Sequence, residues 1–177
     1  MHARLACINS KEFPNEPRLL LGQGRIHDQL RDPDKALAFY RSVLDLDASH
    51  IEAIACTAAH HFYSDQPEIA IRYYRRLLQQ GVNNTELWNN IGLCCFYASQ
   101  YDMSLGCFEK ALAIADDNSM ADVWYNIGHV GVALGDLGLA YQAFKVRSIK
   151  ANTCRPSELP CVMQTHTRFS EPPLSHH

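Results

Sequence analysis

The 177-residue chain lacks any apolar run near the roughly 18 residues that a membrane span needs, and its first residues lack the apolar core of a signal peptide. A cytosolic or peripheral location is expected. It also lacks a strong charge: a net charge of -3 and a pI near 6.3 supply no general attraction to phosphate backbones, so nucleic acid is not expected as a main partner. The local basic group Arg72, Arg75 and Arg76 reads as a solvated helix face. No Cys-x2-Cys or His-x3-His spacing occurs, and zinc needs ligands that converge, so the neighbouring Cys56, His60 and His61 do not make a metal site. Seven cysteines are an odd number scattered over apolar helix faces, which argues for reduced thiols rather than a disulfide framework. Gly22-Gln23-Gly24 has no preceding strand, no third glycine and no Walker lysine, and no Gly-x-Ser-x-Gly elbow is present. Neither a cofactor nor a catalytic centre is expected.

What the chain has is internal repetition. Gly24, Ala58, Gly92 and Gly128 each stand twelve residues before Ala36, Ala70, Ser104 and Ala140, and an aromatic (Tyr40, Tyr74, Phe108, Phe144) follows four residues later. Units aligned on these positions begin near Pro17, Ile51, Thr85 and Ala121, with offsets of 34, 34 and 36 residues. The tetratricopeptide (TPR) unit has that period and the pattern W-x2-L-G-x2-Y, Ala, x3-Phe. The third unit fits it best, with Trp88-x2-Ile91-Gly92, Ser104 and Phe108; Cys95 stands where Tyr is usual. The fourth has Trp124-x2-Ile127-Gly128, Ala140 and Phe144, with Gly131 at the Tyr position.

Small residues at the eighth and twentieth unit positions let two helices approach closely, and the aromatic at the twenty-fourth is expected to fill the hole between units. Ser49-x-x-Glu52 and Ser119-x-x-Asp122 read as capping boxes, Asp32-Pro33 as an N-cap followed by proline at N1, and Asp65-Gln66-Pro67 as the matching turn. Gly81 suits a left-handed C′ position. Helices are predicted at about 18–31, 34–46, 51–63, 67–79, 85–98, 101–115, 121–134 and 137–149. The expected fold is an all-α TPR helical-hairpin solenoid, a right-handed superhelix of about four repeats. Residues 1–16 form an N-terminal extension, 17–150 the array (repeats near 17–50, 51–84, 85–120 and 121–150), and 151–177 a disordered tail containing Pro156, Pro160, Pro172 and Pro173. No polar capping helix is evident after Ile149, so either the tail folds back over Val132, Leu134, Leu139 and Phe144, or that face is sticky, or a partner covers it, and the isolated chain is expected to self-associate or to be marginally stable.

The inner face of such a superhelix is lined by the first helix of each unit. Position 2 reads Arg18, Glu52, Glu86, Asp122; position 6 of the last two units reads Asn90 and Asn126; positions 12 and 13 repeat as Phe62-Tyr63 and Phe96-Tyr97. A groove for a chaperone's C-terminal carboxylate needs a cationic clamp, and acids occupy its positions here. Candidate partner-binding residues are Glu52, Tyr63, Glu86, Asn90, Tyr97, Asp122 and Asn126, with the two Phe residues and Trp88 and Trp124 assigned to packing.

Beyond the general repeat, the stretches His61-Phe62-Tyr63-Ser64-Asp65-Gln66-Pro67-Glu68-Ile69-Ala70, Asn89-Asn90-Ile91-Gly92-Leu93-Cys94-Cys95-Phe96-Tyr97 and Ala121-Asp122-Val123-Trp124-Tyr125-Asn126-Ile127-Gly128-His129 carry a more specific likeness. From roughly Pro17 to Phe144 the chain resembles the TPR-subunit family of the BBSome, the Bardet–Biedl syndrome assembly. The resemblance implies a non-enzymatic scaffold in a coat-like complex that carries membrane proteins to and from the cilium. Implied partners are other BBSome subunits and, through them, an Arf-like GTPase and ciliary membrane-protein cargo. Implied locations are cytoplasm, centrosome or basal body, and cilium. Members of that family are longer, with further repeats on both sides, and the family-like pattern stops after Phe144, which implies a segment or a short form. A free-standing TPR peptide receptor or co-chaperone adaptor is the alternative.

Overall fold

The computed structural model describes residues 16–153, with the side chains of Asn118 and of 150–153 excepted. Eight helices and no strand occur among the described residues: α1 (Pro17–Gln29), α2 (Pro33–Leu46), α3 (Ile51–Tyr63), α4 (Pro67–Gln79), α5 (Thr85–Tyr97), α6 (Tyr101–Ile114), α7 (Asp117–Leu134) and α8 (Leu137–Thr153). The expected disordered tail lies outside the described residues from 154 onward, as does nearly all of the N-terminal extension; residues 151–153 continue α8.

Local chemistry sets most boundaries. Pro33 and Pro67 occupy N1, where a missing N–H costs nothing, and the Asp32 carboxylate accepts from the Lys35 N–H at 3.4 Å. Two expected caps are corrected. His50, not Ser49, caps α3 by accepting from the Ala53 N–H at 3.3 Å, while Ser49 donates its N–H back to Asp47 at 2.9 Å. Asp116, not Ser119, caps α7, accepting from the Ser119 N–H at 2.8 Å, so this helix starts four residues earlier than predicted. At α7 the ionised carboxylate of Asp116 is a stronger acceptor for orphan N–H groups than the Ser119 hydroxyl, and at α3 Asp47 holds both the N–H and the hydroxyl of Ser49, which leaves the cap to His50. The turn inside each hairpin uses one left-handed residue, Arg31, Asp65, Ser99 and Gly135 in successive units; Gly81 takes φ +84° in the loop before α5, as expected.

Helices pair as antiparallel-ordered neighbours, α1 with α2, α3 with α4, α5 with α6 and α7 with α8, and each second helix then meets the first helix of the next unit. Packing of this nearest-neighbour kind defines a solenoid. Its core is three successive clusters: Leu21, Ala36, Tyr40, Val43 and Ala53; then one around Ile54, Tyr74, Leu77, Leu87 and Cys95; then one around Phe108, Val123, Ile127 and Val130.

The small-residue notches have a specific occupant. A Cβ on Gly24 would fall 2.9 Å from Tyr40 Cδ1, on Gly92 2.6 Å from Phe108 Cε1, and on Gly128 2.7 Å from Phe144 Cζ. The aromatic therefore lies over the notch of its own hairpin as well as facing the next unit, which refines the expected filling between units. In the third hairpin the Ser104 hydroxyl donates to the Gly92 carbonyl at 2.8 Å, fixing the crossing. Gly131 is a second notch in the fourth hairpin, since a Cβ there would meet the Ala140 backbone nitrogen at 2.8 Å. What looked like a lapse from the repeat pattern is a closer helix approach.

Candidate protein-interaction groove

The first helices of units two to four line one concave cavity of about 1250 Å³. Its floor includes Ala55, Ala59, Leu93 and Val123, and its walls carry all seven candidate residues, Glu52, Tyr63, Glu86, Asn90, Tyr97, Asp122 and Asn126. Within α3 and α5 the acid at position 2 and the tyrosine at position 13 lie eleven residues apart, close to three whole turns, so both point to one helix face. The groove thus has an acidic edge and an aromatic edge.

The aromatic edge is a connected row. Phe62 contacts Tyr63 and Tyr97 at ring-centroid distances of 5.3 and 5.4 Å, and Phe96 contacts Tyr97 at 5.4 Å, all edge-on. The Phe rings are half-buried, and Tyr63 and Tyr97 remain 52% and 45% exposed. Phe holds and Tyr presents.

The candidate polar residues differ in their engagements. Glu52 is ion-paired with Arg25 of α1, whereas Glu86 is exposed and forms no ion pair within the described residues. Burial raises the Asp122 carboxyl above its ordinary range, and the Arg147 guanidinium opposes that rise. Arg147 also lies 4.2 Å over the Tyr125 ring, closing the far end of the groove. Asn126 is buried and donates to the Asn89 side-chain carbonyl at 2.8 Å, tying the first helices of units three and four together. Asn90 is half-buried on the wall. Asn89, one residue before Asn90, has no sequence signal for this role, because the bond depends on how the fourth unit is rotated against the third.

Trp88 packs against the second and third core clusters, donates its indole N–H to Asn83 at 2.7 Å and carries Lys110 over its ring at 4.5 Å; Trp124 packs against the third. The thiols of Cys56, Cys94, Cys95 and Cys107 are free. A hydrogen bond from Cys107 and the Arg75 guanidinium hold Cys95 down against burial, while burial pushes the adjacent Cys94 up to about 12. No group of three metal-ligating side chains occurs, and no helix is long and apolar enough to cross a membrane, among the described residues.

Hairpins stacked through small-residue notches around a concave, side-chain-lined groove define a tetratricopeptide-repeat protein. Family models described as Tetratricopeptide repeat match residues 17–50, 85–118 and 121–145, together more than half of the sequence, and the chain belongs to that family. It is 52% identical over 142 residues to Tetratricopeptide repeat protein 8 of Mus musculus, and 44% identical over 134 residues to the protein of that name in Caenorhabditis elegans. These alignments cover 80% and 76% of this chain but 28% and 26% of the relatives, so the chain spans about a quarter of their length. A more distant relative is BBSome complex member BBS4 of Bos taurus, 24% identical over 128 residues, covering 72% of this chain and 24% of that protein. Among solved structures, the crystal structure of PilW, a type IV pilus biogenesis factor, superposes with a TM-score of 0.76 at 17% identity over 85% of this chain and 69% of that one. That likeness concerns the fold.

Proposed function

We propose that this chain is a non-enzymatic protein-interaction scaffold of the BBSome, acting in ciliogenesis and in the movement of membrane proteins to and from the cilium. The observation that carries the reading is high identity to a mammalian and a nematode protein of one name across four fifths and three quarters of the chain. The weaker similarity to a protein named as a BBSome complex member points the same way. Other BBSome subunits bind the array 17–150, and an Arf-like GTPase and ciliary membrane-protein cargo are reached through the assembled complex. The working locations are the cytoplasm, the centrosome or basal body, and the cilium. Of the seven groove residues, Tyr63, Glu86, Asn90, Tyr97 and Asp122 contact the partner, while Glu52 and Asn126, engaged by Arg25 and Asn89, shape the wall.

Affinity purification from ciliated cells of the tagged full chain and of a Glu86→Lys, Tyr97→Ala variant tests this. Recovery of several scaffold subunits together, diminished in the variant, is the expected result. A second reading, a free-standing receptor for one linear motif, is favoured by the groove alone. Recovery of a single transient partner that a short peptide releases would replace the first reading with that one.

A further inference from the structure

From the paired acidic and tyrosine edges of the groove, we infer that its occupant is an amphipathic, cationic α-helix lying across α3, α5 and α7. The inference rests on the groove being the partner surface, and it names the chemistry of the partner. Three observations carry it.

The first is charge. The lining carries five carboxylates, Asp47, Glu52, Asp65, Glu86 and Asp122, against the single guanidinium of Arg147, a net -4 in a chain whose total is -3. Arg25 offsets Glu52 from just outside the lining, which leaves a net -3 in the concavity, equal to the net charge of the whole chain, and low-dielectric walls focus that potential there. Lys and Arg side chains complement this surface; an acidic or phosphorylated segment is repelled.

Width is the second. Glu52 and Tyr63, like Glu86 and Tyr97, are separated by eleven residues, about 16 Å along the helix axis at roughly 1.5 Å per residue. A helix with its side chains is about 10–12 Å across, so one laid along the groove fills the gap with basic arms reaching one edge and apolar side chains meeting the other. The cavity of about 1250 Å³ has room for roughly three turns of such a cylinder.

The third observation is the repeat itself. The first helices touch through Phe62–Tyr97 and Asn126–Asn89, and helices packed side by side lie about 8–10 Å apart, so the acids of successive units recur at a distance that a bound helix covers in about five to seven residues. Seven residues are two turns, which returns a side chain to the same face. The partner helix thus carries a basic residue near every seventh position, with leucine-like residues opposite, facing Tyr63 and Tyr97. Glu52 is already engaged by Arg25, so Glu86 and Asp122 supply the main contacts.

Fluorescence anisotropy with the full chain tests this, using three labelled probes of about twenty residues. The first is an alanine-based helix with lysine at every seventh position and leucine on the opposite face; the second replaces lysine with glutamate; the third keeps the first composition but carries two central prolines that prevent a helix. The first probe is expected to bind at least about tenfold more tightly than the others, to weaken about tenfold between roughly 0.05 and 0.2 M salt, and to lose about tenfold with Glu86→Lys and several-fold with Glu86→Gln or Tyr97→Ala. Unchanged thermal melts of these variants separate lost contact from lost fold. Equal binding of the proline probe overturns the helix and leaves the groove as a peptide site. Preferential binding of the glutamate probe overturns the charge assignment. Affinity for the first probe that no groove substitution alters places it elsewhere and overturns the inference, even where co-purification of scaffold subunits succeeds.

Discussion

The third and fourth hairpins share one device and differ in what surrounds it. In both, a glycine notch accepts the aromatic ring of the second helix, Gly92 under Phe108 and Gly128 under Phe144. Phe108 is fully buried, because α7 covers the ring's other side with Val123, Ile127 and Val130, whereas Phe144 is half-buried. Further along the fourth hairpin Val132, Leu137 and Tyr141 are 53%, 76% and 68% exposed. A TPR hairpin buries much of its own aromatic, and the following unit completes the burial.

The largest effect is expected from Phe108→Ala, about 3–5 kcal/mol of lost stability for a fully buried ring, against roughly half of that for Phe144→Ala. Urea unfolding of the two variants measures the gap. Equal losses would mean that the ring's own notch, not the next hairpin, provides the burial. Next comes a contrast inside the fourth hairpin. Gly131→Ala pushes a methyl against the Ala140 backbone, which cannot swing aside, and is expected to cost about 1–3 kcal/mol even after the better helix propensity of alanine. Gly128→Ala meets only a partly buried ring that can swing aside and is expected to be near neutral, so a similar cost at both sites would show that Phe144 is held as firmly as Phe108.

The exposed apolar side chains of the fourth hairpin are probed by Leu137→Glu combined with Tyr141→Glu. Sedimentation velocity is expected to show weaker self-association than in the unaltered chain, with stability changed by less than about 1 kcal/mol. Persistent association of the double variant would assign it to another surface. The smallest effect concerns Asp122, whose raised carboxyl means that ionisation opposes folding. Its stabilising neutral form is lost as pH rises through the folded value, so Asp122→Asn is expected to be more stable by a few tenths of a kcal/mol at pH 7. The advantage disappears below the unfolded value of 3.8, where both chains carry a neutral group. The same substitution is expected to weaken cationic ligands, opposing stability to binding at one residue.

Helix number, pairing and the notch-and-aromatic device were legible in the chain because each depends on residue size at fixed spacing. Gly24, Gly92 and Gly128 announce close approach whatever lies around them, and Pro33 and Pro67 mark helix starts by covalent geometry alone. The seven groove residues were also legible as a set, since unit positions 2, 6 and 13 project from one side of each first helix, and the structure brings them to one cavity. Their engagements were not. That Arg25 neutralises Glu52 across units, and that Asn126 is spent on Asn89, depends on the rotation of one hairpin against the next.

The caps at His50 and Asp116 escaped for a related reason, as several polar residues near each helix start competed for the same orphan N–H groups. Gly131 is the clearest case. Its identity departs from the repeat pattern, and its meaning emerges only when the backbone of Ala140 is found against it. Short-range size and spacing specify a stack of hairpins, because those constraints act within about thirty residues of chain. Which charges remain available to a partner is set by contacts between units, where side-chain geometry and local dielectric, not sequence distance, determine what pairs with what.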